Sequence, residues 1–313
     1  DFFRVGSVFG MVKDNKEIVL RGMRIKTLAN ELCALVGGRH IHPITLKVGC
    51  FSKNPESKDL AAFKKKIEDL WPDIEETVKF FKSLKTPEFE RETEYISLTC
   101  PEEYALYDGN IKSSDNGEVE PSDYLDKVKE FMVPNSTSKH AKSNRDSYMV
   151  GALARFNNNY DQLHPKAKEV AEELGLKQPC YNTYMNNVAQ VVETVHCFED
   201  SIRLIDDLIS DGMTDEKIEL PPKAGHGVGA TEAPRGTLYH EHKLDDNGKI
   251  TYANYIIPTG QNLANIENDL RTLVPNILDQ PKDDIILNIE MLVRAYDPCI
   301  SCATHLMKVK FIN

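Results

Sequence analysis

The sequence has no excess of basic residues, which argues against a surface that binds nucleic acid or an anionic membrane. It contains 38 Lys and Arg residues against 49 Asp and Glu residues, a formal net charge of -11 at pH 7. Both kinds of partner are negatively charged and would require a basic patch. The sequence also has no apolar run of the length that a transmembrane helix needs, and no recognisable signal peptide. We therefore expect a cytoplasmic protein.

Cysteines are few and irregularly spaced, which excludes the disulfide framework of a small secreted domain. Seven of them occur in 313 residues, an odd number that is typical of a reducing compartment. Apolar residues make up 41% of the sequence, enough to bury a large core. Five cysteines stand alone and are predicted to be small core residues: Cys33, Cys50, Cys100, Cys180 and Cys197.

The other two cysteines, Cys299 and Cys302, lie in the segment with the clearest chemistry. His305 follows at the same three-residue spacing, so two sulfurs and an imidazole can face one metal ion. A structural zinc site would need a fourth ligand, and the sequence has no second Cys-x-x-Cys pair. A thioredoxin-like redox pair would need a following helix, for which few residues remain. From the residues alone, a metal site and two unrelated buried thiols both stay open.

The residues around this pair resemble the C-terminal signature of nickel-iron hydrogenase large subunits, in the version typical of the cytoplasmic, cofactor-coupled classes. The segment reads Ala295-Tyr296-Asp297-Pro298-Cys299-Ile300-Ser301-Cys302-Ala303-Thr304-His305. Further blocks follow in the family's order: Gly37-Gly38-Arg39-His40-Ile41-His42-Pro43, Val150–Asn157, Glu232-Ala233-Pro234-Arg235-Gly236 and Pro258-Thr259-Gly260-Gln261-Asn262. The resemblance therefore extends along the whole chain.

The resemblance implies a predominantly helical α+β fold, which is shared with the quinone-pocket subunit of respiratory complex I. It implies heterolytic cleavage or formation of H2 at a nickel-iron centre that carries carbon monoxide and cyanide. Cys299 would be a terminal nickel ligand and proton acceptor, and Cys302 a ligand that bridges both metals. His305 would bind a structural magnesium ion.

The same resemblance assigns roles to the Glu232–Gly236 and Pro258–Asn262 blocks. Arg235 would stand over the open metal position, and its guanidinium would need an ion-pair partner if it is buried. Ala233 and Pro234 would line the diatomic ligands, with Pro234 as their wall. Thr259 would donate a hydrogen bond to a cyanide.

The resemblance also implies partners. Two cysteines cannot build an iron-sulfur chain, so electrons would pass to a small subunit with iron-sulfur clusters, then to a flavin, F420 or heterodisulfide reductase module. The family's first Cys-x-x-Cys, its glutamate proton relay and an acidic magnesium ligand are not found in this sequence, which begins with Asp1. We therefore expect an N-terminally incomplete chain, or a separate polypeptide that supplies that half. A catalytically inactive scaffold that docks an electron-transfer complex is the alternative.

Hydrophobic periodicity predicts the order of helices and strands. Helices are predicted from Asp14 to Gly37-Gly38, over Leu60–Phe81 with a kink at Pro72, and at about 182–210, 262–278 and 283–296. Short strands are predicted between 93 and 120, and a β-hairpin from Leu238 to Ile257 that turns at Asp245–Gly248. We expect one large-subunit-like unit over 1–313. It has a helical core at about 14–88 and 181–211, an α+β excursion at about 89–145, and a hairpin and metal-site segment at about 225–313.

Three other patterns are given ordinary interpretations. The glycine-rich Gly225–Ala230 segment lacks the Lys-Ser/Thr of a P-loop, and its glycines are interpreted as allowing a close backbone approach to the metal cluster. His40 and His42 are predicted to pack and hydrogen-bond near the cluster. His240 and His242 share a strand face and are predicted to be solvent-exposed or hydrogen-bonded rather than metal ligands.

Overall fold

Helices and strands alternate along the part of the chain that the computed structural model describes, residues 8–134, 136–214, 218, 220–303 and 308–312. The helices are α1 (Val8–Gly37), α2 (Ser57–Asp69), α3 (Trp71–Ser83), α4 (Tyr124–Lys127), α5 (Ala152–Asn159), α6 (Pro165–Glu173), α7 (Asn186–Asp211), α8 (Pro258–Leu273), α9 (Lys282–Ala295) and α10 (Ile300–Ala303). The strands are β1 (Leu46–Lys47), β2 (Cys50–Phe51), β3 (Glu94–Thr99), β4 (Asn110–Ser113), β5 (Gly117–Val119), β6 (Lys129–Phe131), β7 (His140–Lys142), β8 (Tyr148–Met149), β9 (Gly225–Ala233), β10 (Gly236–Leu244) and β11 (Ile250–Ile256).

These elements fall into two compact units. Unit 1 takes the described residues of Asp1–Lys85 and Thr194–Pro222, and unit 2 takes those of Thr86–Glu193 and Lys223–Asn313. Helix α7 contributes residues to both. The expectation of a single large-subunit-like unit stays a prediction. No described helix is both long enough and apolar enough to cross a membrane.

Unit 1 has a helical core to which α1, α2 and α7 contribute. Its buried cluster contains one residue of α1, three of α2 and one of α7: Leu28, Leu60, Phe63, Ile67 and Ile205. The three- and four-residue spacing in α2 places its members on one helix face. Trp71 of α3 adds an edge-to-face contact with Phe198 of α7, with ring centroids 6.1 Å apart.

The start of α1 differs from the prediction, whereas its end agrees. The capping pattern at Asp14 predicted the N-terminus, but the helix is already present at Val8. The backbone instead leaves helical geometry inside the helix, at Asn15 with φ −135° and ψ 42°. Asparagine favours such breaks because its side chain competes for backbone hydrogen bonds. At the other end, Gly38 has a φ of 79°, the left-handed conformation that was predicted to end the helix.

The helix predicted over Leu60–Phe81 is two helices in the structure. Helix α2 ends at Asp69, Leu70 separates the two, and Pro72 lies in the first turn of α3. Proline lacks an amide hydrogen and clashes with the preceding turn, so a helix accepts it at its start rather than in its interior. The predicted kink is therefore a complete break.

Unit 2 contains two larger sheets that share one core. Their strand orders are β5-β4-β3-β8 and β11-β10-β9, with β3 and β8 parallel and the other neighbours antiparallel. Every residue of β3 is buried. Side chains from both sheets form one buried cluster that includes Ile96, Leu98, Ile111, Tyr148, Tyr239 and Ile256. The strands predicted between 93 and 120 are β3, β4 and β5.

The predicted β-hairpin is confirmed as β10 and β11, and a third strand joins it. Strand β9 pairs with β10 along its whole length, from Ala233 opposite Gly236 to Gly225 opposite Leu244. The glycine-rich segment is therefore a strand, which its glycines had not suggested. A Cβ on Gly225 or Gly229 would meet no atom within 4 Å. No close backbone contact among the described residues requires glycine at these two positions.

Helices α8 and α9 carry the C-terminal segment. Both were predicted, although α8 begins earlier than expected, at Pro258. Ile277, Ile285 and Ile289 are buried together against Leu270 and Leu273 of α8. Because this packing fixes α9, the residues that follow Ala295 start from a defined position.

Candidate metal centre

The chain leaves α9 sharply at Asp297. This residue has a φ of 50°, a left-handed conformation that Asp tolerates better than most residues. Its amide donates to the carbonyl oxygen of Arg294 at 2.9 Å, which closes the last turn. Further on, the amide of Cys302 donates to the carbonyl oxygen of Cys299 at 3.1 Å. Cys299 is half-buried and Cys302 is exposed, one short turn apart.

Thr259 connects Cys299 to the first turn of α8. The threonine is buried, and its Oγ1 accepts a hydrogen bond from the amide of Cys299 at 3.3 Å. The next polar residues fix this turn: Gln261 Nε2 donates to a carbonyl of β10 at 2.7 Å. Asn262 bonds both the amide and the carbonyl of Val150, at 2.9 and 3.2 Å. The buried hydroxyl is therefore held in place against the cysteine segment.

Arg235 is paired with Asp297. Its Nε donates to the carbonyl oxygen of Asp297 at 2.5 Å, and its Nη2 lies 3.2 Å from Asp297 Oδ1. The second carboxylate oxygen of Asp297 accepts from Gln190 Nε2 at 3.1 Å. The guanidinium thus has the ion-pair partner that a partly buried arginine needs, and this partner lies two residues before Cys299.

A second arginine, Arg155 of α5, lies beneath the segment that carries Arg235. It is 2% exposed and pairs with two carboxylates, Glu193 at 2.6 and 2.7 Å and Glu232 at 2.8 Å. It also donates to the backbone carbonyl oxygens of Ala233 and Pro234, each at 3.1 Å. The turn between β9 and β10 is therefore fixed by a buried charge network.

Glu232 is the most enclosed carboxylate of this network. Besides Arg155, it accepts from the amide of Leu98 at 2.8 Å and from the hydroxyl of Thr237 at 2.6 Å. Burial raises the pKa of Glu232, while Arg155, Thr237 and Leu98 oppose that rise. The network therefore places a carboxyl with a raised pKa three residues before Arg235.

Glycines allow α5 and the Arg235 turn to approach closely. Gly236 has a φ of 135°, and a Cβ there would lie 2.4 Å from Cγ2 of Val150. Gly151 has a φ of 115°, and its Cβ would lie 3.2 Å from the carbonyl oxygen of Arg235. Any side chain at Gly236 would have to displace its neighbour, so glycine is required there.

A buried polar network supports the end of α9, next to Asp297. The Tyr296 hydroxyl donates to Asp269 Oδ2 at 2.5 Å, and Thr183 donates to the same oxygen at 2.7 Å. Arg91 pairs with the other oxygen of Asp269. Burial and the Asp269 charge raise the pKa of Tyr296 well above its usual value, so the phenol remains protonated as the donor.

Comparison with known proteins identifies the family. The sequence model of the nickel-dependent hydrogenases matches residues 102–305. The chain belongs to this family. The alpha subunit of sulfhydrogenase 1 of Pyrococcus furiosus is 33% identical over 311 residues, which cover 99% of this chain and 72% of that protein. A subunit of the F420-non-reducing hydrogenase of Methanothermobacter thermautotrophicus is 31% identical, and the match covers 96% of this chain and 68% of that protein.

Solved structures confirm the large-subunit-like α+β fold of this nickel-dependent hydrogenase chain. An NAD+-reducing [NiFe]-hydrogenase in the H2-reduced state matches with a TM-score of 0.83 and 26% identity, covering 96% of this chain and 71% of that one. The [NiFeSe]-hydrogenase of Dm. baculatum matches with a TM-score of 0.68 and 20% identity, covering 96% and 72%. The second likeness shows the fold alone.

The structure brings several of the predicted site residues together. Arg235 bonds the segment that leads to Cys299, and Thr259 bonds Cys299 itself. Ala233 and Pro234 directly precede Arg235, with Pro234 exposed. His305 lies outside the described residues, so its magnesium-binding role stays a prediction.

Four residues of this site were not singled out from the sequence: Asp297, Gln190, Arg155 and Glu193. Asp297 and Arg155 lay inside blocks that resembled the family, and this was their only signal. Gln190 and Glu193 are polar positions in the first turns of α7, and nothing in the helical pattern distinguishes them from solvated ones. Their importance depends on contacts with residues far away in the sequence.

Two predictions outside the site are resolved by exposure and packing. Cys33 and Cys197 are exposed, so their interpretation as small core residues was wrong. The helical spacing placed both on faces that the described structure leaves open. His242 Nε2 lies 2.7 Å from the hydroxyl of Tyr255, and the His240 ring packs edge-on against the same tyrosine. The predicted hydrogen-bonded role is therefore confirmed for His242.

Proposed function

We propose that this chain is the catalytic large subunit of a nickel-iron hydrogenase, or the C-terminal portion of one, and that it cleaves or forms H2 heterolytically. The observation that best supports this is the Arg235–Asp297 pair beside Cys299, whose amide is bonded to Thr259. H2 is a very weak acid, so its cleavage requires a metal to accept the electron pair and a nearby base to accept the proton. A thiolate next to a fixed cation is suited to be that base.

The donor set suits a nickel-iron centre. Cys299 and Cys302 would hold it through Sγ, because thiolates are the soft donors that such metals prefer. Neither sulfur is sealed in an apolar core, since Cys299 is half-buried and Cys302 exposed. When bound, the centre, with its carbon monoxide and cyanide ligands, supplies the Lewis acid that polarises H2.

The chain's own residues would orient the reactants and hold the proton. Cys299 Sγ would take the proton, and the permanently charged Arg235 would favour the thiolate form before that transfer. Asp297 and Gln190 would keep the guanidinium in place through the contacts described above. Thr259 accepts from Cys299, so its own hydroxyl proton would be directed to a cyanide.

Further parts of the proposal concern ligands and partners. Pro234, with Ala233 beside it, would wall the diatomic ligands, and His305 would bind magnesium. Electrons would pass to a small subunit with iron-sulfur clusters, in a cytoplasmic hetero-oligomer. The names of the relatives refer to different electron carriers, so a flavin, F420 or heterodisulfide reductase module is equally compatible with this chain.

Isotope exchange tests the proposed reaction directly. The complex that contains this chain, purified from its native source and incubated with D2 in H2O, should release HD. Heterolytic cleavage leaves one deuteron free to exchange with solvent, and this exchange needs no electron acceptor. A complex that contains the chain in stoichiometric amount and releases no HD would contradict the proposal and support a large-subunit-like scaffold.

A further inference from the structure

We propose that Arg155 is a positioning residue that places Arg235 for this reaction. The inference rests on the proposed hydrogenase function. It concerns the backbone from which the Arg235 side chain extends, and it assigns Arg155 no contact with the metal or with H2. Its basis is that one buried guanidinium holds the two peptide carbonyls that immediately precede Arg235.

The contact with Pro234 bears directly on Arg235. Arg155 Nη2 donates to the carbonyl oxygen of Pro234 at 3.1 Å, while Nη1 donates to that of Ala233 at the same distance. The Pro234 carbonyl belongs to the peptide group that also contains the amide nitrogen of Arg235. Because a peptide group is planar, fixing this oxygen fixes the plane in which the backbone enters Arg235.

The guanidinium that makes these contacts is itself immobilised. Its Nε and its second Nη2 donor bond the two oxygens of Glu193, and its second Nη1 donor bonds Glu232. All five N–H groups therefore have an acceptor. The side chains of Arg155, Glu193 and Glu232 are 2%, 13% and 0% exposed. Rotation of the guanidinium would leave buried charges unpaired, which is costly, so the turn follows a fixed plane.

Helix α5 provides a second contact on the other side of Arg235. Gly151 caps α5 and leaves only 3.2 Å between its ideal Cβ position and the carbonyl oxygen of Arg235. The amide of Arg155 donates to the carbonyl of Gly151 at 3.0 Å, within the first turn of this helix. The peptide groups before and after Arg235 therefore both rest on the start of α5.

A lysine at this position would keep the charge and lose the geometry. An ammonium group has three donors and no fixed plane, so it cannot bond two carbonyls and two carboxylates together. Arg155→Lys therefore separates positioning from net charge. Arg145 of the same unit is a matched control, because it also bonds two carboxylates, those of Asp115 and Glu92, and is 37% exposed.

The first test compares Arg155→Lys and Arg145→Lys in the purified complex. In Arg155→Lys we expect kcat for H2 oxidation to fall about 10- to 100-fold, as for residues that orient a metal-site group indirectly. The KM for H2, the nickel content and the infrared bands of iron-bound carbon monoxide and cyanide should stay those of the parent. Arg145→Lys should match the parent throughout. Equal kcat values for the two variants would overturn the proposal, as would loss of the infrared bands in Arg155→Lys.

A second test does not depend on the metal or on activity. Hydrogen–deuterium exchange of the amides of 232–237 in the full chain should be faster in Arg155→Lys than in the parent and in Arg145→Lys. Unchanged exchange would overturn the proposal even if the parent proved not to be a hydrogenase. If Arg155→Lys does not fold, Glu193→Gln replaces it, since this variant loosens the guanidinium and keeps the carbonyl contacts. It should show the same faster exchange, and its absence would again overturn the proposal.

Discussion

Arg235 and Asp297 form an ion pair between two segments that are 62 positions apart in the sequence. Nη2 and Oδ1 are 3.2 Å apart, and Nε also donates to the backbone carbonyl of the same aspartate at 2.5 Å. Their side chains are 35% and 37% exposed. An ion pair with this much exposure adds little stability. Its main effect is to set the direction of the guanidinium beside Cys299.

Asp297→Asn should therefore lower activity more than stability. Asparagine keeps the size and the backbone carbonyl contact but removes the charge that orients Arg235. We expect the rate of D2 exchange to fall about 10- to 100-fold, with a change in Tm of only a few degrees. Glu290→Gln is the matched control, because it removes the charge of an exposed pair with Arg294 at 3.2 Å. An Asp297→Asn complex that exchanges as fast as this control would contradict the assigned role.

Thr259→Val should loosen the cysteine segment without disturbing the fold of α8. Valine has the same shape but cannot accept the bond from the amide of Cys299. We expect a loss of about 1 kcal/mol in the free energy of unfolding of the chain. The cyanide bands in the infrared spectrum should also shift, if Thr259 donates to that ligand. Thr259→Ser keeps the hydroxyl and should resemble the parent, so equal effects of Val and Ser would exclude a role for the hydroxyl.

Gly236→Ala should strongly destabilise unit 2. The new Cβ would lie 2.4 Å from Val150 at a φ of 135°, so the change combines overpacking with backbone strain. We expect a loss of about 2–4 kcal/mol, measured by chemical unfolding. Gly229→Ala is the control, because its Cβ would meet no atom within 4 Å. Similar losses for both variants would show that the contact with Val150 is not the cause.

The sequence predicted the parts of the site that depend on local patterns. The Cys-x-x-Cys spacing, the β-hairpin and the order of helices could be read because turn residues and periodicity act over a few positions. Asp297 as the partner of Arg235, and Arg155 beneath the same turn, could not be inferred, because each contact joins distant segments. Strand β9 was missed for a related reason: its glycines carry no strand signal, and only pairing with β10 makes them extended.

Unit 1 should lose stability in acid through Asp73. Hydrogen bonds from Arg24 hold the pKa of Asp73 below its usual value. A lowered folded-state pKa contributes stability above the unfolded-state pKa of about 4, and this stability is lost as the pH falls below it. The free energy of unfolding of Asp73→Asn should therefore depend less on pH between about 3 and 5 than that of the parent. Parallel pH profiles for the two proteins would contradict this assignment.

The central claim is that Cys299 and Cys302 hold a nickel-iron centre, and an infrared spectrum of the native complex tests it most directly. The parent and Cys33→Ser, which alters an exposed cysteine in α1, should show the stretches of iron-bound carbon monoxide and cyanide. Cys299→Ser and Cys302→Ser should lose these bands together with nickel, because a serine hydroxyl is a poor ligand for soft metals. Bands that persist in both serine variants, or that are missing from the parent complex, would contradict the account.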